Sequence, residues 1–215
     1  MFRKKPGQRM LDHVKNVIKG ASNKERFFKI IASIYATGDW RYKLIESAYE
    51  DTKNAFEGVY RENGERYSEH LRAVALIVML YLRQTDYRMI IASLLHDIVE
   101  DTHWTLDMAR DKYGEDIALL VEWMTKPKDI FPKKEDYLKA YYERFERADR
   151  RAIILKLADR LHNLLTMWPF SDEKKKQKID ETKRYFIKLS ERECILIHEL
   201  EAAIYIIEGE LLKPA

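Results

Sequence analysis

The sequence predicts an all-α protein, and three observations carry that prediction. Only 7 glycines and 5 prolines punctuate 215 residues, which leaves long uninterrupted segments. Those segments are rich in Leu, Ala, Glu, Lys, Arg and Ile, residues that favour helix. Apolar positions recur three and four apart, and no stretch of useful length alternates apolar with polar as a half-buried strand would.

In order along the chain, residues 8–19 read as a first helix, stopped near Gly20. Ser22 or Asn23 caps a second, from Lys24 to about Ala36, with Phe27, Ile30, Ile31 and Ile34 on one face. Gly38 and Asp39 break the chain. A third helix spans about Arg41 to Phe56 and turns Leu44, Ile45, Ala48 and Tyr49 inward. Arg61 to Tyr67 is a polar loop centred on Asn63-Gly64. Ser68 caps the next helix, Glu69 to about Arg83. That helix is apolar nearly all round from Val74 to Leu80, so it belongs at the centre. Asp86 to Glu100 follows as one continuous helix. Thr105 caps a helix ending at Gly114, and Asp116 to Thr125 turns Ile117, Leu120, Val121 and Met124 inward. Residues 126–134 hold two prolines and read as the longest loop. Helices from about Glu135 to Glu146 and from Arg150 to Met167 come next, the second stopped by Pro169. From Asp172 the chain is helical to about Leu212, interrupted near Ser190. The whole reads as one helical domain over residues 41–215 with a loosely attached N-terminal helical extension over residues 1–40.

Charge and cysteine content narrow the function. Lys plus Arg number 39 against 36 Asp plus Glu, a net charge of +3. That excess is too small to argue for nucleic-acid binding. Basic runs such as Lys174-Lys175-Lys176 read as a solvated helix face. The single cysteine, Cys194, excludes an internal disulfide and a four-cysteine zinc site. It also fits a reducing cytoplasm. Met1 to Gly7 lacks the apolar core of a secretory signal. The longest apolar run, Ala73 to Leu80, is far too short to span a bilayer, so no membrane partner is expected.

One stretch stands out chemically: Leu94-Leu95-His96-Asp97-Ile98-Val99-Glu100-Asp101. Its ionisable residues sit in a run of Leu, Ile and Val, and residues three and four apart share a helix face. Carboxylates that close repel one another, and burying them is costly unless a cation or a partner compensates. His70, at the start of the central helix, and Asp159, in the apolar run Ile153 to Leu164, are the natural partners. Two imidazoles and two carboxylates suit a borderline divalent metal such as Mn, Fe, Co or Zn. Spacing alone leaves the alternatives open: core histidines satisfied by hydrogen bonds, an Asp159-Arg160 surface pair, and Glu100-Asp101 as a polar helix end. The remaining histidines, His13, His103, His162 and His198, read as structural or surface residues.

The order His70, His96-Asp97, Asp159 is the H…HD…D pattern of the HD phosphohydrolase superfamily. Leu95-His96-Asp97-Ile98-Val99-Glu100-Asp101-Thr102 resembles the hydrolase domain of the RelA/SpoT alarmone enzymes more closely still. Thr105-Leu106, Tyr113-Gly114 and Val121 to Lys126 extend that likeness, as does Leu155-Lys156-Leu157-Ala158-Asp159-Arg160-Leu161-His162-Asn163-Leu164. Arg61 with Gly64, Glu65 and Tyr67 resembles that family's nucleotide-binding loop. The resemblance covers about residues 55–190 and leaves no room in this length for a synthetase half, so the chain is similar to small stand-alone alarmone hydrolases.

The resemblance implies an HD-domain helical bundle. It implies metal-dependent removal of the 3′-pyrophosphate from guanosine tetra- or pentaphosphate, giving GDP or GTP and pyrophosphate. His70, His96, Asp97 and Asp159 would hold one metal, in that family usually manganese (Mn2+). Glu100 and Asp101 would hold and deprotonate the attacking water. Arg61 would clamp the guanine nucleotide, while Tyr67, Asn163 and Thr166 would line the nucleoside pocket. Lys126 and Lys156 are candidates for the distal phosphates. A guanine nucleotide is thus the implied partner, nucleic acid and membrane are not, and a homo-oligomer is left open. Two positions depart from the family's habit. Glu62 follows Arg61 where Lys is common, and Leu71 follows His70 where Pro is common. Glu62 removes a positive charge beside the phosphates and puts substrate preference in question. Two other readings stand beside this one: an HD phosphohydrolase of another nucleotide (a monophosphate, a deoxynucleoside triphosphate or NADPH), and a helical interaction module that has lost its chemistry.

Overall fold

The computed structural model describes residues 6–20, 23–126 and 134–212. Among them no β-strand occurs; a lone antiparallel bridge joins Tyr60 to Arg66. The helices are α1 (Pro6–Ile18), α2 (Lys24–Ile34), α3 (Trp40–Ala55), α4 (Tyr67–Leu76), α5 (Tyr87–Leu95), α6 (Ile98–Asp101) and α7 (Leu106–Tyr113). They continue with α8 (Glu115–Met124), α9 (Lys134–Glu143), α10 (Arg150–Thr166), α11 (Asp172–Glu181), α12 (Ile187–Glu193) and α13 (Ile197–Leu211). The predicted all-α class is what the chain adopts. The two-proline loop falls almost wholly outside the described residues.

Several starts follow local capping chemistry. Side chains of Asn23, Asp39, Asp86, Thr105 and Asp149 each accept a backbone N–H of the first turn that has no partner within the helix. Ser68 does not cap. Tyr67 N–H is held by Val59 O at 3.0 Å, so α4 begins ahead of Ser68 and takes that serine into its first turn. The loop before α4 closes as a tight turn: Gly64 sits at φ +83°, where a side chain would be strained. Arg61 N–H and Glu65 O meet at 2.8 Å across it.

Three expected helices carry breaks or changes of winding. α4 passes at Ile77 into a π-helical turn, Ile77–Tyr81. The long C-terminal helix contains a second, Thr182–Phe186, and breaks at Cys194 and Leu196, both at φ between 56° and 58°, close to the interruption expected near Ser190. The third break matters most. The predicted helix Asp86 to Glu100 stops at Leu95; His96 and Asp97 form a turn, with Asp97 at φ −107°, ψ 0°, before α6 resumes.

α4 and α10 form the centre. Leu71 to Met79 are buried without exception, as the apolar run predicts. On α10 every side chain from Ala152 to His162 is buried, including Lys156, Asp159, Arg160 and His162. The N-terminal helices share this core: Leu11, Val14, Phe27 and Ile31 are buried in the same cluster, and α1 packs on α13 and α4. That packing is closer than a loose attachment.

Buried charges on α10 need partners, and Arg160 has them. Its guanidinium lies 3.2 Å from Glu181 on α11, which also meets Lys178 at 3.1 Å and the Tyr142 hydroxyl. Burial would raise the Glu181 carboxyl; Arg160 and Lys178 outweigh it and hold it at about 2. Glu181→Gln is expected to destabilise by about 3 kcal/mol, because removing one partner leaves the other charge buried and uncompensated. At this size that lowers the melting temperature by roughly 6–12 °C. The folded value lies below the ordinary 4.5. The contribution is therefore complete above pH 4.5 and is lost as pH falls towards 2. Melting curves of the two chains should accordingly converge in acid.

Candidate active site

Three structural elements bring four side chains to one buried point. α4 supplies His70 from its first turn. The α5–α6 turn supplies His96 and Asp97, and α10 supplies Asp159. His96 is fully buried and His70 nearly so. The distances from His96 Nε2 are 3.1 Å to Asp97 Oδ2 and 3.7 Å to Asp159 Oδ1. Those from His70 Nε2 are 3.7 Å and 3.4 Å to the same two atoms. The break at His96-Asp97 lets adjacent residues aim at one point, which a regular helix would send about 100° apart.

The donor set fits a divalent cation. His96 Nδ1 lies 2.8 Å from Ser93 O and donates to it, which leaves Nε2 as the ring atom turned towards the cluster and available to a metal. That Nε2 is buried and makes no hydrogen bond of acceptable geometry, although Asp97 is near. Donor atoms of His70, His96 and Asp97 lie within 4.8 Å of one another. Two ligands about 2.1 Å from one ion and at right angles are about 3 Å apart, the scale observed. The electrostatics agree. Burial disfavours a charged His96, but Asp97 and Asp159 outweigh it and push its pKa up to about 10. Burial would raise Asp97; the His96 charge, with the His70 ring also facing it, holds it well below the usual carboxylate range. Lys156, 3.5 Å away, does the same for Asp159 against its burial, with His70 and His96 contributing. Two ionised carboxylates in a dry place draw positive charge onto the facing imidazole nitrogens.

The expected water-handling pair stands beside this cluster. Glu100 is anchored by Lys126, whose backbone N–H reaches Oε2 at 3.1 Å and whose ammonium reaches Oε1 at 2.8 Å. Asp101 accepts from the Tyr67 hydroxyl at 2.8 Å, and the same hydroxyl lies 2.9 Å from Asp97. Burial, then the two carboxylates, raise the Tyr67 pKa far above its ordinary value, so it stays a donor. Tyr67, expected against the nucleoside, is thus placed between two carboxylates, its ring stacked on Phe56 at 4.3 Å.

Arg61, Asn163 and Thr166 do come together. The Arg61 guanidinium reaches Asn163 Oδ1 at 2.6 Å and Thr166 Oγ1 at 3.0 Å. Asn163 Nδ2 donates to Asp159 Oδ1 at 2.6 Å. His162 is the residue that sequence reasoning passed over. Its Nδ1 lies 2.8 Å from His70 Nδ1. The one local signal was its place three residues past Asp159 and beside Asn163. Burial, then His70 and Arg61 beside it, keep His162 neutral by driving its pKa well below the ordinary histidine value.

Next to the cluster opens a cavity of about 320 Å³, lined by Asp159 and Asn163 and by five cations, Lys126, Lys156, Arg160, Lys174 and Lys178. Lys174 is paired with Glu62, so the expected charge loss at position 62 also engages a cation of the cavity. Of two larger cavities, neither of which includes Asp159, one of about 710 Å³ shares Tyr142 and Lys156 with this one and one of about 720 Å³ lies between α1 and α13.

A family model described as HD domain matches residues 48–196, more than half of the chain. This chain belongs to the HD-domain family. Within it, the chain is 40% identical over 151 residues to a guanosine-3′,5′-bis(diphosphate) 3′-pyrophosphohydrolase of Aquifex aeolicus, covering 69% of this chain and 21% of that one. It is 33% identical over 178 residues to the bifunctional (p)ppGpp synthase/hydrolase SpoT of Escherichia coli K12, covering 80% and 24%. The chain therefore spans less than a quarter of the length of these relatives. A solved structure of a metazoan SpoT ortholog, described as hydrolysing ppGpp, superposes with a TM-score of 0.69 at 23% identity. It covers 79% of this chain and 97% of that one, and shows the same HD fold.

Proposed function

We propose that this HD-domain chain hydrolyses the 3′-pyrophosphate of guanosine tetra- or pentaphosphate. His70, His96, Asp97 and Asp159 would hold one divalent cation, manganese by preference. The observation that carries the reading is the buried His96 Nε2, facing two ionised carboxylates at the edge of a cavity lined by five cations. The names of the bacterial relatives supply the substrate class. A cytoplasmic setting accords with such a nucleotide and with the single cysteine. Residues 1–40 read as an addition to an HD unit of residues 41–215, which accords with a family match that begins at residue 48.

When bound, the cation supplies Lewis-acid charge neutralisation and acidifies water. The chain's own residues do the rest. Glu100, anchored by Lys126 and one turn beyond His96, takes a proton from the attacking water, and Asp101 orients that water. The water oxygen bonds to the phosphorus next to the ribose 3′ oxygen as the bond between those two breaks. The ribose oxygen then takes up a proton, and pyrophosphate departs. Lys126, Lys156, Lys174 and Lys178 offset the charge of the polyphosphate, and Tyr67 holds Asp97 and Asp101 in mutual register.

Incubation with manganese and a nucleotide panel, with products separated by ion exchange, tests the reading. Guanosine tetraphosphate should yield GDP and pyrophosphate. EDTA should abolish the reaction and manganese restore it. Full activity in EDTA would overturn the metal dependence. Orthophosphate from a monophosphate, or triphosphate from a deoxynucleotide, as the sole product would overturn the substrate.

A further inference from the structure

His70 and His162 face each other through their Nδ1 atoms at 2.8 Å, so one ring must donate and the other accept. The pair alone does not say which. Arg61 decides it. Its Nη1 lies 3.4 Å from the same His162 Nδ1 and 3.0 Å from Thr166 Oγ1. A guanidinium only donates. His162 Nδ1 is then an acceptor, and the shared proton belongs to His70 Nδ1. That leaves a lone pair on His70 Nε2, the atom facing Asp97 and Asp159. The other arm of the fork acts in parallel. Nη2 donates to Asn163 Oδ1 at 2.6 Å, which turns the amide nitrogen towards Asp159 Oδ1, also at 2.6 Å. One guanidinium from the loop ahead of α4 thus orients a carboxylate of α10 and fixes the proton of an imidazole on α4.

We propose that Arg61 and His162 are positioning residues for the metal site: Arg61 sets the tautomer of His70 through His162, and the orientation of Asp159 through Asn163, before substrate arrives. This rests on the metal-site reading above. A residue that only clamps nucleotide would leave metal affinity untouched, whereas partners that orient ligands change it about 10- to 100-fold when lost.

The test titrates Co2+ into metal-stripped full chain without nucleotide, reading the visible d–d absorption. Arg61→Ala and His162→Leu should each bind Co2+ about 10- to 100-fold more weakly than the unchanged chain. His162→Gln, whose amide oxygen can accept the His70 proton, should recover affinity to within a few-fold. Unchanged affinity in Arg61→Ala, with circular dichroism showing an intact fold, overturns the proposal. So does a His162→Gln chain as weak as His162→Leu. Should His162→Leu not fold, Arg61→Ala decides alone, because that change is made in a loop. If the unchanged chain takes up no Co2+, the metal-site reading falls and this proposal with it. Tight uptake unaffected by the substitutions overturns the relay alone.

Discussion

Glu100→Gln is expected to take up metal as the unchanged chain does and to lose turnover by about 10²- to 10⁴-fold. Glutamine has the size of glutamate and keeps one oxygen, which preserves one of the two Lys126 contacts and the shape of α6. What it cannot do is receive a proton. Glu100 is also outside the group of His70, His96 and Asp97 donors, so metal uptake should not register the change. Single-turnover rates with saturating manganese, set beside a metal titration, separate the two quantities. Near-normal turnover in this variant would remove Glu100 from water activation.

Asp97→Ala should lose metal and activity together. It deletes the oxygen that lies 3.1 Å from His96 Nε2 and 3.7 Å from His70 Nε2. A cation at 100 times its dissociation constant stabilises a folded chain by about 2.7 kcal/mol, or roughly 5–11 °C at this size. That increment should vanish in the variant. In EDTA the variant should already melt below the unchanged chain, because His96 and Tyr67 lose a buried carboxylate partner, so the reading is the manganese-dependent increment alone. A persisting manganese-dependent rise in melting temperature would show that Asp97 is not a ligand.

Much of this was legible from spacing. The burial of Leu71 to Met79 and of Ala152 to Leu161 follows from apolar runs that a helix can satisfy only at a protein's centre. The convergence of His70, His96, Asp97 and Asp159 came from a motif, and the geometry brings all four together. The break at His96-Asp97 was not legible. No glycine or proline marks it, and Tyr67, thirty positions away, holds Asp97 there. His162 escaped for the same reason, since its partner His70 lies 92 positions away. The Glu62–Lys174 pair spans 112. Periodicity reports which face of a helix is buried; it is silent on which polar groups meet across the interior.

The seating of α1 on α13 bears on how the molecule is made. Leu11 and Val14 leave the ribosome early, but the helix that completes their cover is synthesised only after α10 and α11. The HD core can close around α4, α5 and α10 while α1 still waits with an apolar face uncovered. Such late closure between distant segments is slow, and it exposes the nascent chain to aggregation. Of the two N-terminal helices, α1 therefore gains its full cover only once the end of the chain has been made.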